Sequence, residues 1–580
     1  MALESTASVV GIAGVAIQLF QGCVEGYKIW HTARHIGQDG DLLYTKFIVQ
    51  YTRLDTWAYK AGISTGSPKR LQWEPILLLL AQQNQLLHSA RALQRRYRLE
   101  QPLTTTDSGF DIPDEGPTDQ IEKPSVGTTH LVERVKALLY GDRKTRQDEA
   151  NGILKRNSFI KRIGWAVQDK KRLERIIADI TELNSQLVEY LDKHDQDEFR
   201  REVRRLFRAL ISECSDSSEV ENIQQSIEES MPTSVRHSII AAARIKTLRL
   251  SLKLDKRDDE EAAKTEEAPF AMNDFKHYRA NRLMGDTGAE SQGTKIAAYN
   301  ATVVLVEWRT ITANRSSVQP FLRNLAMLLC QARDSAFHSL PCTGYVDDED
   351  SDRFGFVYDV TDLATGADAS TVQNRTLFDL IRSSRFVSQA DRVRIACDSA
   401  EAVMQLHTAG WLHKGICSEN IMFVTRSNMQ SRDVIASSPY LVGYGYARPD
   451  TASAAVLTEM PVTITNRDLY RHPDARGQAR QTFQMRFDMY GLACVLTELA
   501  FWEHLEDILG KYRSWKAETS PPSLNEVFGD SEFQQELSFH VSQRYIQAIE
   551  RCLRPKEVLA QDQDAALETD VLELLSSCKD

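Results

Sequence analysis

Trp411–Val424 reads WLHKGICSENIMFV, and this stretch decides how the second half of the chain folds. Its polar turn carries His413, Lys414, Gly415 and Asn420 between two apolar ends. Upstream, Ser388 and Asp391 form a capping box, and Val393, Ala396, Cys397, Ala400, Val403, Met404 and His407 recur at helical spacing. Gly410 then stands where a C-terminal cap belongs. A helix is therefore expected to run straight into the turn. Further out, beyond about residue 270, the β-branched runs ATVVLVEW (301–308), RFGFVYDV (353–360) and SPYLVGYG (438–445) alternate with helical segments. That alternation is an α+β pattern.

The first half reads differently. Val9, Ile12, Ala16, Leu19, Phe20 and Cys23 share a helical face, as do Leu43, Phe47, Tyr51, Leu54 and Ala58. Trp73, Leu77, Leu80, Leu87, Ala90 and Tyr97 form a third set, and Leu173, Ile176, Ile177, Ile180, Leu183, Leu187 and Leu191 a fourth. An antiparallel helical bundle of about 200 residues is their natural packing. Between the third and fourth sets QPLTTTDSGFDIPDEGPTDQ (101–120) reads as a long exposed loop. Residues 199–255 read as a charged connecting brace rather than core, and KLDKRDDEEAAKTEEAP (253–269) as a solvated linker. The expected organisation is a bundle over 1–215, brace and linker over 216–268, and an α+β region over 269–580.

At 580 residues the chain is too long for one core. With 42% apolar, 26% charged and 8% aromatic residues it has the composition of a globular protein. A net charge of -11 argues against general nucleic-acid binding, and nine cysteines without a C-x-x-C pair fit reduced thiols rather than disulfides or zinc. No basic n-region marks a secretory signal, and no apolar run reaches the ~18 residues of a membrane span. The expected location is the cytoplasm, with conditional recruitment to membrane.

The C-terminal motifs resemble those of protein kinases, over roughly residues 270–560. In that family the loop reads H-R-D-L-x-x-x-N, where Asp takes the substrate proton and Asn holds magnesium. The matching positions here are His413, Lys414, Gly415, Ile416 and Asn420, so the base is replaced by glycine. YLVGYGYARP (440–449) occupies the place of the D-F-G strand and turn, with Gly443 where the metal carboxylate would stand. VLVEW (304–308) puts Glu307 at the phosphate-binding Lys position, with Arg309 on the same strand face as a substitute cation. GDTGAESQGT (285–294) keeps Gly285, Gly288 and Gly293 without the family's spacing, and SSVQPFLRNLAMLLCQARDSAFH (316–338) contains no Glu for a Lys–Glu pair. YRHPD (470–474) resembles A-P-E, and FDMYGLACVLTELAFW (487–502) the buried helix whose Asp488 braces the catalytic loop. The resemblance implies a bilobal pseudokinase. Asn420 is expected to cap the loop through backbone bonds and His413 to be a core histidine. No cofactor and no metal are expected; whether ATP binds is left open.

SVVGIAGVAIQLFQGCVEGY (8–27), RLDTW (53–57) and WAVQDKKRLERIIADITELNSQL (165–187) resemble the HeLo domain of fungal incompatibility and cell-death proteins, over roughly residues 5–215. That likeness implies a bundle whose N-terminal segment is released into membrane. The candidate segment is Val9, Val10, Ile12, Val15, Ile17, Leu19 and Phe20, with glycines at 11, 14, 22 and 26 allowing close helix approach. Basic residues from Arg143 to Arg175 suit either anionic headgroups or a solvated helix face. The domain order is similar to that of mixed-lineage kinase domain-like executors of necroptosis. It implies a pseudokinase-regulated effector that answers an upstream signalling protein or kinase, oligomerises with itself and acts on anionic membrane. Thr451, Ser453, Thr458, Thr463 and Thr465 lie in the segment matching an activation loop, residues 446–474. A non-catalytic scaffold with a self-associating bundle and an atypical active kinase are the alternatives.

Overall fold

The structure is a computed structural model. It describes residues 2–29, 38–96, 170–231, 233–251, 275–284, 293–300, 302–311, 315–332, 337–363, 368–383, 387–450, 466–476, 483–513, 522–553 and 571–578. The expected loop at 101–120, the basic residues from Arg143 to Lys161 and Arg162, the linker at 253–269, Gly285, Gly288 and the five activation-segment hydroxyls lie outside them. Two compact units divide the chain: residues 1–210 with 218–240, and residues 211–217 with 241–580.

The first unit is helical. Helix α1 (Ala2–Ile29) packs on α2 (Gln38–Lys60) and α3 (Trp73–Arg96), and α4 (Lys170–Glu189) packs on α2 and α3. On α4 the periodicity is sharp: Leu173, Ile176, Ile177, Ile180, Leu183 and Leu187 are buried, while Lys171, Arg172, Glu174 and Arg175 face water. The α1–α3 seam depends on missing side chains. A Cβ on Gly22 would lie 2.7 Å from Asn84 Nδ2, and one on Gly26 would lie 2.7 Å from Leu87 Cβ. Gly14 has nothing within 4 Å, so it serves no such approach. Helices α5 (Lys193–Glu213), α6 (Ser217–Ser230) and α7 (Thr233–Ser251) follow, and the division between units falls inside α5 and α7.

The second unit is the expected mixture of sheet and helix, compatible with a bilobal protein-kinase-like fold. Its strands are β1 (Lys276–Tyr278), β2 (Leu283–Met284), β3 (Gly293–Tyr299), β4 (Thr302–Thr310), β5 (Cys342–Asp348) and β6 (Arg353–Asp359). They form one sheet in the order β1-β5-β6-β4-β3-β2. All pairs are antiparallel except β1 with β5. Strand β1 covers what would be an open edge, and it comes so close that a Cβ on Gly344 would lie 1.9 Å from Lys276 O. Helix α8 (Arg315–Gln331) packs on β5 and β6.

The remaining part of this unit is mainly helical. Helix α9 (Leu377–Ser383) follows β7 (Val372–Thr376), and α10 (Gln389–Thr408) is capped as its sequence suggests, with Asp391 N donating to Ser388 Oγ at 3.1 Å. Gly410, at φ +75°, turns the chain into β8 (Trp411–Leu412). Then come β9 (Ile421–Arg426), β10 (Tyr440–Leu441), β11 (Arg448–Pro449) and the buried helix α11 (Met485–Phe501). β7, β9 and β10 make one small sheet, β8 and β11 another.

One expectation needs correction. Residues 199–255 were expected to be connector, yet Ala241, Ile245 and Leu248 of α7 are buried in the same apolar cluster as Leu322, Ala396 and Leu406. Two of the charges that suggested a solvated brace are spent on main-chain acceptors: Lys246 Nζ donates to Ser212 O at 2.9 Å and Arg249 Nη1 to Ala409 O at 3.3 Å.

Candidate functional site

Strand β4 alternates. Val303 and Leu305 enter the large core of the unit, and Val304, Val306 and Trp308 enter a smaller cluster on the opposite face. Glu307 therefore shares a face with Val303 and Leu305, where it is buried. Its Oε2 accepts from Gly443 N at 3.0 Å and Tyr358 Oη at 3.1 Å, and its Oε1 from Gly445 N at 3.2 Å. Burial raises its pKa, and these donors pull against that rise. Each of these hydrogen-bond partners of the carboxylate, at the position the sequence reading likens to a kinase lysine, is thus a donor.

Arg309, two residues along, donates to Gly445 O and lies over the Tyr446 ring at 4.8 Å. It is engaged with the same Gly443–Tyr446 turn rather than standing apart as a phosphate ligand.

The loop at 413–420 is braced from below. Asp488 Oδ2 accepts from His413 N at 2.7 Å and His407 Nε2 at 3.2 Å, while Oδ1 accepts from Lys414 N at 2.8 Å. Lys414 adopts φ +66°, so the brace holds a conformation that costs a non-glycine residue energy. The buried His413 ring donates through Nε2 to Val442 O at 3.0 Å and meets the Tyr444 ring edge to face at 5.0 Å. Burial depresses its pKa to about 4, which keeps the ring neutral. Lys414 Nζ lies 5.7 Å from the centre of the Phe483 ring, and burial, with Arg448 next, lowers its pKa to about 8.

Asn420 Nδ2 donates to Gly415 O at 2.6 Å. A Cβ on Gly415 would lie 3.2 Å from this amide nitrogen, and a Cβ on Gly443 would lie 2.5 Å from both Asn420 Cγ and Nδ2. Gly443 also has φ +89°, a region that disfavours side chains. The amide of Asn420 therefore occupies the space that a side chain at 443 would enter and packs closely against position 415. Of the other pocket residues, Gly293 opens β3 at φ +103° with nothing within 4 Å of a Cβ placed there.

A second buried network escaped the sequence reading. Ser418 Oγ and Tyr470 Oη are 2.9 Å apart, and Tyr470 Oη donates to Glu498 Oε1 at 2.6 Å. Leu505 N donates to the same oxygen at 3.0 Å. Glu498 Oε2 has no partner among the described residues, and burial raises the carboxyl to about 7. Nothing in the local pattern joins residues 418, 470 and 498; only the fold brings them together.

On the candidate membrane-active segment, Val15 is 46% exposed, Ile17 and Leu19 are half-buried and Phe20 is buried. Val9, Val10 and Ile12 belong to α1, but their side chains lie outside the described residues. Among the described residues no helix is long and apolar enough to cross a membrane, and no group of His, Cys, Asp and Glu is placed to hold a metal ion. All nine cysteines are free thiols, and eight of them are buried.

Two comparisons with known proteins bear on this chain. Residues 8–223 match the HeLo family, described as prion-inhibition and propagation. A probable serine/threonine-protein kinase PknB of Bifidobacterium longum (strain NCC 2705) is 28% identical over 128 residues, which is 22% of this chain and 17% of that protein. The match thus spans less than a fifth of the bacterial protein's length.

Proposed function

We propose that this chain is an effector of fungal incompatibility-type regulated cell death, in which a non-catalytic kinase-like unit controls a conditionally membrane-active helical bundle. The observation that carries the reading is Glu307 accepting from Gly443 N and Gly445 N. A carboxylate fixed at the phosphate-cation position repels a polyphosphate, and glycine at 415 and 443 supplies neither base nor metal ligand. The HeLo match over residues 8–223 supports the cell-death setting. On this reading the protein is cytoplasmic until an upstream kinase or signalling protein acts on the kinase-like unit. The bundle then releases α1, associates with further copies and engages anionic membrane.

Two measurements test it. The thermal midpoint of the full chain should not move with ATP and magnesium; a saturable rise, or phosphate transfer abolished by Asn420→Ala, would restore an active kinase. Vesicles of phosphatidylserine and phosphatidylcholine should leak with residues 1–240 and stay sealed with the unstimulated full chain. Vesicles sealed in both cases would remove the executor role. They would favour a second reading, a scaffold whose bundle mediates self-association, which is supported by the lack of a membrane-length apolar helix among the described residues.

A further inference from the structure

RLDTW places Arg53 on α2, inside the first unit, where it is 4% exposed. Its Nη1 donates to Gln50 Oε1 at 3.1 Å and to Ser230 O at 2.9 Å, and its Nη2 to Ser185 Oγ at 2.9 Å. Every one of these partners is uncharged. No carboxylate among the described residues pairs with it, and the nearby buried cation Lys46 has Glu229 at 2.5 Å. A guanidinium withdrawn from water normally needs an anion, because neutral dipoles replace only part of its hydration. Burial lowers its pKa to about 10, which agrees with an uncompensated charge.

The partners extend into a chain of amides across the unit. Asn184 Nδ2 donates to Gln50 O at 3.0 Å and Gln50 Oε1 at 3.1 Å. Gln83 Nε2 donates to Asn184 Oδ1 at 3.1 Å and Tyr27 Oη at 3.0 Å. Through these side chains α2 is tied to α4, α3 and α1, and through Ser230 O to the end of α6. The network is also incomplete: Gln50 Nε2 and Gln83 Oε1 are buried without a partner among the described residues.

We propose that Arg53 is a release device: a buried cation without a counter-ion among the described residues holds the helical unit below its attainable stability, so that the network fastening α1 can let go. Its purpose rests on the bundle opening proposed above, whereas the stability claim stands alone. Gln50→Glu is isosteric, removes the orphaned Nε2 and puts an anion on the oxygen that Arg53 already contacts. Arg53→Met removes the cation and strands only the Ser230 carbonyl, since Ser185 Oγ still donates to Thr181 O at 2.9 Å.

Full-length Gln50→Glu should raise the midpoint of the helical unit by about 3 °C or more and slow amide exchange in α1, α2 and α4. An unchanged or lowered midpoint overturns the proposal. If that variant does not fold, Arg53→Met is judged by the same rule, although truncating a buried, hydrogen-bonded residue ordinarily destabilises. Leakage from the same vesicles separates the two ideas. A raised midpoint with reduced leakage supports both, and a raised midpoint where even the unmodified residues 1–240 fail to leak keeps the device and removes the membrane role.

Discussion

Arg53 and Glu307 are both buried charged side chains held by uncharged partners, and the difference between them lies in what is left over. Glu307 has both oxygens occupied, by two backbone N–H groups and a phenol. Arg53 makes three hydrogen bonds to uncharged acceptors, but no carboxylate among the described residues offsets its charge and the amides around it carry orphaned atoms. Asp488 sides with Glu307, since it accepts two backbone N–H groups and a histidine. Charge-assisted bonds from fixed backbone donors rigidify a site, whereas an incomplete network of side-chain amides leaves alternatives of similar energy. The kinase-like unit is built to hold one arrangement where chemistry would be, and the helical unit keeps a weak point in its core. That division suits a controller joined to an effector.

The comparison breaks most visibly at Asp488. Asp488→Ala leaves the buried N–H groups of His413 and Lys414 without an acceptor, and it unfastens a loop held at positive φ. The expected loss is roughly 3–5 kcal/mol, seen as a lowered urea midpoint for the C-terminal unit while the helical unit's transition stays in place. A loss under about 1 kcal/mol would mean that the loop is held by something other than this carboxylate.

Glu307→Gln is the sharper and smaller change. Its amide must point an NH2 at one of three donors, so about 2 kcal/mol should be lost although size and shape are kept. Nucleotide should gain nothing, because the backbone around position 307 still presents donors suited to an acceptor. An ATP-dependent thermal shift appearing in this variant would show that charge alone keeps the pocket empty.

How much of this was legible in the sequence follows from the kind of group involved. Side-chain patterns could be read: the cap at Ser388, the turn at Gly410 and the bracing Asp488 stand at their expected places because each depends on one residue type at one spacing. The partners of Glu307 could not, since two of them are main-chain N–H groups that any residue supplies. Sequence reading made it a repellent of phosphate and missed that it is a fastener. Arg53 was legible only as part of a motif; its partners at 185 and 230 come from segments far along the chain. The burial of Ala241–Leu248 was hidden by Lys246 and Arg249, whose carbonyl acceptors no local pattern reveals.

Glu498 is where the kinase-like unit departs from its own rule, and it gives the finest test. Like the Arg53 network it is incomplete, with Oε2 unpartnered among the described residues. Its folded pKa of about 7 lies above the ordinary 4.5. Between those values the folded state keeps a proton that the unfolded chain has released, so stability is greatest below about 4.5, falls as pH rises through 7, and levels off above it. Glu498→Gln keeps Oε1 as the acceptor for Tyr470 and Leu505 while removing the ionisation. Its midpoint should therefore match the parent near pH 5 and exceed it by about 3 °C at pH 8. A difference that is constant across this range would show that Glu498 does not supply the pH response, because only a carboxyl whose ionised form is under-compensated in the fold makes stability fall as pH rises.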